Sequence, residues 1–406
     1  MALSRRIARR LKKLKKWWHF RLALRHRRQM AHIVHVGITG TSAKSTTTAL
    51  AAAILREAGP CEQTQNSNAL HDLIRVIHRT GRGHRYCVLE LATMAPGTLD
   101  RHVRLVRPDV AVLTMVGSEH YSNFRNLDAV AAEKAKVVLA PPAAGIAVLN
   151  IDDPMVRAIG EQTSRRVIWF GSDPAATLRL VEARSIWPEP LTLVVAHGGQ
   201  QHLVRTDLHG RHLVVPVMAA LGVALACGVP LATAIAAIGQ CQPTEGRMQP
   251  VTTADGVTWM RDDWKAPAWS FGLPFDWLRE ATATRKVAIV GTVSDTRGDS
   301  ARNYRDFARV ARSAATLVVF VGPNSHRALR ARAAPDDDSI QAFPTAAAAA
   351  TWLRPRLRAG DLVLLKASHK ADHLVRLMLD REAPVNCWRE RCDKALFCTH
   401  CPELRS

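Results

Sequence analysis

Short apolar runs that alternate with helical segments dominate the hydrophobic pattern of this 406-residue chain. The runs with the length of a buried strand lie at 32–36, 85–91, 108–114, 147–153, 287–290, 317–321 and 362–365. Segments such as 49–55 and 346–350 have helical character, whereas 334–338 is typical of a surface loop. Alternation of this kind predicts an α/β fold with parallel sheets rather than a barrel of hairpins.

The size and composition of the chain predict two main domains. Its hydrophobic content of 47% is enough for a substantial core. We expect the first domain at 31–245 and the second at 246–383. The segments 1–30, which is basic and amphipathic, and 384–406, which is rich in cysteine, differ from both domains in composition.

The N-terminal segment carries most of the excess positive charge. Residues 1–28 contain eight Arg, four Lys and no acid, and the whole chain has a net charge of +21. An apolar stripe runs along the same segment at helical spacing, through Ile7, Leu11, Leu14, Trp18 and Leu22. A cationic helix with such a stripe and with Trp17 beside it predicts binding to an anionic membrane surface. A disordered basic tail and a nucleic-acid-binding arm are the alternatives, and only charge supports nucleic acid as a partner.

No apolar run in the chain is long enough for a signal peptide or a membrane-spanning helix. We therefore expect a cytoplasmic protein that can lie against the inner face of the membrane.

The stretch Gly-Ile-Thr-Gly-Thr-Ser-Ala-Lys-Ser-Thr-Thr-Thr, residues 37–48, carries the strongest chemical signal. It follows a predicted strand and leads into a predicted helix. Such a loop presents backbone N–H groups and a helix N-terminus to a polyphosphate. Lys44 then suits the outer phosphates, and the Ser45 hydroxyl suits a magnesium ion. Ala43 stands where the general pattern has glycine, so an ordinary strand–helix turn is the alternative.

The spacing of this stretch resembles the Gly-x-x-Gly-Thr-Asn-Gly-Lys-Thr/Ser-Thr-Thr loop of the Mur ligases, which are ATP-dependent acid–amino acid ligases. The resemblance implies that ATP is bound by the loop residues Gly40, Thr41, Ser42, Ala43, Lys44, Ser45 and Thr46. It also implies a central P-loop ATPase domain with a parallel sheet, followed by a Rossmann-like C-terminal domain.

Three further residues match the family in order. Glu90 ends a predicted strand and His120 follows the next strand, and they resemble the residues that hold magnesium near the phosphates. Lys134 lies at the spacing of the lysine that CO₂ carbamylates in the family, and its carbamate would help to hold a second magnesium. Lys136 is a near rival. Alone, each has a structural alternative as a surface acid, a loop histidine or a solvated lysine, but the ordered set favours a site with Lys44, His120 and Lys134 as catalytic residues.

The resemblance continues to about residue 383. Residues 147–153 look like the family's Asn-x-Asp-Asp strand, 244–248 like the Gly-Arg hinge, and 362–370 like a segment of the D-alanyl-D-alanine-adding ligase. The segment 262–267 occupies the place of a nucleotide-contacting segment. The resemblance therefore implies that Arg247, Asp263 and Lys265 contact the nucleotide.

Two departures from the family pattern stand out. Residues 212–216 lack both asparagines of the family's His-Asn-x-x-Asn, one of which normally contacts adenine. The ATP loop also begins by residue 37, so a UDP-sugar substrate is not expected to be held in the usual way. Ligases of the poly-γ-glutamate synthase type share this shortened front.

The resemblance implies a two-step reaction on small-molecule substrates. A substrate carboxylate attacks the γ-phosphate of ATP to give an acyl phosphate, and an amino acid or peptide amine then displaces phosphate to form an amide. A ligase-inactive nucleotide-binding scaffold at the membrane is the alternative, motivated by Ala43, Leu213 and Pro216. The sequence names neither substrate.

The C-terminal tail contains half of the eight cysteines, Cys387, Cys392, Cys398 and Cys401. Four thiolates in a short loop can bind zinc, and an iron–sulfur cluster uses the same ligands. The alternative is a tail of reduced thiols. The other four cysteines are scattered and fit a reducing compartment.

Overall fold

The computed structural model describes residues 2–65, 68–117, 123–140, 144–296, 298–392, 394 and 396–406. It divides into two compact units. The first comprises Met1–Ala183, Thr192–Thr206 and Leu213–Cys241, and the second comprises Arg184–Leu191, Asp207–His212 and Gln242–Ser406. Within the described residues, none of the helices has the length and apolar character that crossing a membrane requires.

A nine-stranded sheet forms the centre of the first unit. Its strands are β1 Val34–Thr39, β2 Cys61–Gln63, β3 Tyr86–Glu90, β4 Val110–Leu113, β5 Ile146–Asn150, β6 Arg166–Gly171, β7 Leu178–Arg184, β8 Thr192–His197 and β9 Gln200–Arg205. The order in space is β2-β3-β1-β4-β5-β6-β7-β8-β9. Pairing is parallel from β2 through β7 and antiparallel between β8 and β9.

Eight helices accompany this sheet in the described part of the chain. They are α1 Ala2–Gln29, α2 Lys44–Ala58, α3 Leu70–Arg79, α4 Thr98–Val106, α5 Leu127–Leu139, α6 Pro154–Gly160, α7 Val214–Ala226 and α8 Leu231–Gly239. The central strands β3 and β4 are buried along their whole length, as expected for parallel strands covered on both faces. The predicted α/β fold with a parallel sheet is confirmed.

Helix α1 has two different faces. Its second half packs into the first unit, where Ala23 is fully buried and the Arg27 guanidinium donates to the backbone oxygens of Val106 (2.8 Å) and Arg107 (3.1 Å). The apolar stripe noted in the sequence lies on the other side of the helix, where Trp18 is 54% exposed. The end of α1 is therefore part of the core, while its stripe faces away from the core.

A six-stranded sheet forms the centre of the second unit. Its strands are β10 Gln249–Thr252, β11 Thr258–Asp262, β12 Arg285–Val290, β13 Leu317–Val321, β14 Ile340–Phe343 and β15 Asp361–Lys366. Their order is β10-β11-β15-β12-β13-β14, and only the β10–β11 pair is antiparallel. The α-helices are α9 Gly272–Glu280, α10 Ser300–Arg312, α11 Ala346–Leu353, α12 His369–Asp372 and α13 Arg376–Glu382.

Candidate functional site

The phosphate-type loop, residues 40–43, connects β1 to α2, as its sequence predicts. At Gly40 φ is +148°, and a Cβ added there would lie 1.9 Å from the Thr114 side-chain oxygen. Only glycine fits this close approach. Ala43, the residue before α2, has φ 68° and is left-handed, which explains why the general pattern has glycine there.

Neighbouring strand ends hold the loop in place. The Thr114 hydroxyl, at the end of β4, donates to the backbone oxygen of Ser42 at 2.7 Å. The Thr41 backbone N–H donates to the oxygen of Met115 at 2.9 Å, and its hydroxyl donates to the oxygen of Gly117 at 3.0 Å. The loop is therefore anchored to the carboxyl end of β4 through both backbone and side chains.

Lys44 and Ser45 begin α2 and point to different partners. The Lys44 ammonium donates to the backbone oxygens of Gly40 (2.6 Å) and Thr41 (3.2 Å), so it curls over its own loop. The Ser45 hydroxyl donates to the Glu90 carboxylate at 2.8 Å. Thr46 follows and is buried in the first turn of the helix.

Glu90 is a buried carboxylate at the end of β3. Its second oxygen accepts a hydrogen bond from the Asn68 amide at 2.8 Å, and its backbone N–H donates to the Thr64 hydroxyl. The structure thus brings together Ser45 and Glu90, which the sequence assigned to one magnesium ion. Sequence reasoning missed Asn68 and Thr114, because lone polar residues after a loop or strand carry no motif of their own.

The lysine pair on α5 separates clearly in the structure. Lys134 is 0% exposed, which excludes its reading as a solvated helix lysine. Lys136 instead lies at the surface and forms ion pairs of 2.8 Å with both Asp100 and Glu133. Of the two, Lys134 has the buried position that the carbamate hypothesis needs. His120, which was assigned to the same magnesium ion as the Lys134 carbamate, lies outside the described residues.

Two side chains of the 147–153 segment hold the residues that follow β4 in place. Asn150 donates from its amide to the backbone oxygen of Thr114 at 3.0 Å. Asp153 caps α6 and also accepts from the Val116 backbone N–H at 2.8 Å. These contacts fix the strand ends that carry the loop and the residues after β4.

The second unit holds the other sequence-predicted nucleotide contacts. Asp263 is 1% exposed and pairs with the Arg261 guanidinium at 3.2 Å, and burial raises the pKa of its carboxyl group. Lys265 is exposed and Arg247 is half-buried. Arg261 was not singled out from the sequence, although it lies in β11, directly before the segment 262–267 that resembles the family.

A buried ion pair lies beside these residues. The Lys366 ammonium is 2.5 Å from the Asp262 carboxylate and also donates to the Lys265 backbone oxygen at 3.1 Å. This pair joins the end of β15 to the end of β11, which are neighbours in the sheet. It fixes the backbone from which Lys265 projects.

Leu213 and Pro216, which replace the family's asparagines, are both buried at the start of α7. The side chain of Leu213 makes no capping hydrogen bond to that helix. Burial is the first cause that lowers the pKa of the neighbouring His212 to about 4, so its imidazole is neutral at pH 7.

The cysteine-rich tail does not show the predicted metal centre. Its four cysteines line one small cavity together with His373, but none of the described residues form a group of three or more side chains suited to a metal ion. Burial raises the pKa of the Cys398 thiol to about 11, whereas zinc and iron–sulfur ligands are thiolates. The zinc or iron–sulfur prediction is therefore not supported.

Other contacts anchor the tail within the second unit. The Thr399 hydroxyl donates to Glu245 at 2.6 Å, and the His400 ring nitrogen is 3.0 Å from the other oxygen of that carboxylate. Phe397 packs against Trp264 and His369, with ring centroids 5.1 and 4.1 Å apart. These contacts hold the tail against the segments around Glu245 and Trp264.

Comparison with known proteins identifies two family domains in the chain. The profile of the Mur ligase middle domain matches residues 38–224, and that of the Mur ligase glutamate ligase domain matches residues 246–369. The chain is 30% identical over 369 residues to the UDP-N-acetylmuramoyl-tripeptide–D-alanyl-D-alanine ligase of Mycobacterium bovis, covering 83% of this chain and 70% of that protein. It is 29% identical to the Mycobacterium leprae enzyme of the same name, over 82% and 71% of the two chains.

Solved structures share the fold. MurF from Acinetobacter baumannii matches with a TM-score of 0.81 and 23% identity, covering 90% of this chain and 80% of that one. MurF ligase from Thermotoga maritima, solved in complex with ADP, matches with a TM-score of 0.77 and 22% identity, over 89% and 83% of the two chains. Together with the sequence matches, these findings show that the chain belongs to the Mur ligase family of ATP-dependent enzymes that form amide bonds.

Proposed function

We propose that this protein joins a substrate carboxylate to the amine of an amino acid or peptide through an acyl-phosphate intermediate. The carboxylate oxygen attacks the γ-phosphorus of ATP and ADP leaves. The amine then attacks the acyl carbon and inorganic phosphate leaves. The observation that carries this proposal is the Ser45–Glu90 contact of 2.8 Å directly below the phosphate-type loop.

The loop supplies the groups that this chemistry needs. Backbone N–H groups from Gly40 to Thr46 and the N-terminus of α2 would cradle the phosphates. Lys44 would exchange its two backbone partners for the outer phosphate oxygens, a short movement for a flexible side chain. Ser45 and Glu90 would hold magnesium, which offsets charge on the β- and γ-phosphates.

Lys134 is the proposed site of a carbamate, with His120 as its partner on a second magnesium. Complete burial of Lys134 supports this role, because its carbamate would bind a magnesium ion inside the protein and would not need contact with solvent. A carbamate also replaces a buried cation with an anion. That change suits a position near a divalent cation.

Arg247, Asp263 and Lys265 remain the proposed nucleotide contacts of the second unit. We also retain the proposed domain boundaries, 31–245 for the first domain and 246–383 for the second, which contains these three residues. Exposure of Lys265 supports its role. Asp263 already accepts hydrogen bonds from Arg261, so it would have to share its carboxylate with a ribose hydroxyl.

The substrates are proposed from the relatives. Those relatives are named for addition of D-alanyl-D-alanine to a UDP-N-acetylmuramoyl-tripeptide. We infer that the incoming amine here belongs to an amino acid or dipeptide and that the carboxylate belongs to a peptide.

The function is tested by phosphate release from ATP and magnesium with a panel of carboxylates and amines. Release that requires both an acid and an amine, with the amide product seen by mass spectrometry, supports the ligase. Lys44→Ala should abolish this turnover and leave the fold intact. Wild-type turnover in that variant would refute the assignment.

We also propose that the exposed stripe of α1 rests on an anionic membrane surface at the cytoplasmic face. Leu11, Trp18 and Leu22 are each at least half exposed, which supports it. Deletion of residues 1–28 would also remove Ala23 and Arg27 from the core, so substitution is the better test. Trp18→Ser with Leu22→Ser should release the protein from phosphatidylglycerol vesicles, and unchanged co-sedimentation would contradict the proposal.

A further inference from the structure

A wide cleft lies between the middle of α1 and helices α3 and α4. Its volume is about 1590 Å³. Its apolar lining comes from two helices, with Leu14 and Phe20 on α1 and Leu70 and Ile74 on α3. Phe20, Leu70 and Ile74 also pack against the core of the first unit, so this floor is fixed.

The rim of the cleft is strongly cationic. Lys12 and Lys16 contribute from α1, Arg75 from α3, and Arg101 and Arg104 from α4. Among the described residues that line the cleft, none is acidic. Acids pair with two of the lining arginines, Asp72 with Arg75 at 3.0 Å and Glu62 with Arg79 at 3.1 Å.

Like charges on three facing helices repel one another across the cleft. The Debye length in physiological salt is about 8 Å, so salt screens this repulsion only in part. A bound anion would relieve the repulsion, and arginine is well suited to phosphate because its guanidinium donates two parallel hydrogen bonds.

The floor distinguishes between possible anions. Free phosphate would leave the apolar surface of Leu70 and Ile74 in contact with water. An alkyl chain would cover that surface, and each buried CH₂ group favours binding. We propose that the cleft binds a phospholipid, with its phosphate between the α3 and α4 arginines and a chain along the apolar floor.

This site is separate from the ATP loop and does not depend on the ligase assignment. It shares Leu14 with the exposed stripe of α1, but its arginines on α3 and α4 lie outside that stripe. A nucleic acid is the other polyanion that such a rim could attract. Its bases could stack on Trp17 and Phe20, but they would not cover the aliphatic surface of Leu14, Leu70 and Ile74 as an alkyl chain would.

The test is calorimetric titration of the full chain with monomeric dihexanoylphosphatidic acid. Dihexanoylphosphatidylcholine, inorganic phosphate and a single-stranded RNA are titrated in parallel. We expect the phosphatidic acid to bind at least tenfold more tightly than the other three. Equal binding of inorganic phosphate, or tighter binding of RNA, would overturn the proposal.

Two variants locate the binding. Arg101→Glu with Arg104→Glu, both at exposed positions, should weaken binding of the phosphatidic acid at least tenfold. Arg166→Glu with Arg205→Glu makes the same change in net charge at exposed positions of β6 and β9, and it should leave binding unchanged. An equal loss in both pairs would show that only net charge matters and would overturn the proposal.

Photolabelling gives a measurement that does not rely on substitution. A phosphatidic acid with a photoreactive chain should label peptides of α1 and α3 in the wild-type protein. Labelling confined to other elements would overturn the proposal.

Discussion

Replacement of Gly40 by alanine tests the structure of the loop directly. Gly40 has φ +148°, and the new Cβ would lie 1.9 Å from the Thr114 hydroxyl oxygen. Thr114 is fully buried and holds the Ser42 backbone oxygen at 2.7 Å. The methyl group therefore strains the backbone, overlaps a side chain that has no room to move, and breaks a loop contact.

The expected cost follows from these three effects. A residue held in a sparsely populated backbone region costs about 1–3 kcal/mol. Overpacking a buried site costs about 1–3 kcal/mol, and a lost hydrogen bond adds about 1 kcal/mol. We expect Gly40→Ala to lower the free energy of unfolding by roughly 3–7 kcal/mol, a large part of the roughly 5–15 kcal/mol of a native protein.

Urea unfolding and ADP binding provide the measurements. Gly83→Ala is the matched control, since no atom lies within 4 Å of its added Cβ, and it should change little. In the double variant with Thr114→Ala, about 1–3 kcal/mol should return relative to the sum of the single effects, because the overlap is relieved. If Gly40→Ala unfolds at the same urea concentration as Gly83→Ala, the reasoning about this loop is wrong.

Three further predictions concern metal binding, the carbamate and pH. Glu90→Gln should raise the magnesium concentration for half-maximal turnover by about tenfold or more, which corresponds to a loss of roughly 1.4 kcal/mol or more of metal-binding free energy. The control Glu57→Gln, at an exposed position, should leave that concentration unchanged. Equal magnesium concentrations in both variants would exclude a metal-binding role for Glu90. Lys134→Ala should be nearly inactive and regain turnover with added acetate, while Lys136→Ala should keep activity; inactivity without rescue in CO₂-replete buffer would contradict a carbamate. Burial is the main cause that lowers the pKa of His35 from 6.5 to about 3. The unfolded chain therefore binds a proton at this ring more readily than the folded chain, so the contribution of His35 to stability is complete above pH 6.5 and is lost as the pH falls. From pH 6.5 to 5 the wild type should lose about 2 kcal/mol more unfolding free energy than His35→Gln, and equal slopes in urea unfolding would refute this.

The sequence determined the α/β class with parallel sheets and the identity of the loop. Long buried runs such as 108–114 have few alternatives to a parallel strand, because both faces of such a strand are covered. The glycine, lysine and serine spacing of 37–48 fixes the chemistry because each position has a steric or electrostatic requirement. The pairing of Ser45 with Glu90 was implied by the family resemblance, and the structure places the two side chains in contact.

Tertiary structure decided what local patterns leave open. The strands from β6 to β9 were not predicted, since their half-exposed alternation is weak. The family spacing favoured Lys134, but the sequence left Lys136, two positions further along the same helix, as a near rival. Helix geometry points Lys134 into the fold and Lys136 toward the exposed Asp100 and the buried Glu133.

The two ends of the chain show the same limit. The apolar stripe predicted a helix for α1, but only packing shows that Ala23 and Arg27 belong to the core while the stripe stays exposed. In the tail, cysteine spacing suggested a metal. Folding instead turns Thr399 and His400 toward Glu245 and buries the Cys398 thiol. Residue types set which contacts are possible, and the distances between elements far apart in sequence select among them.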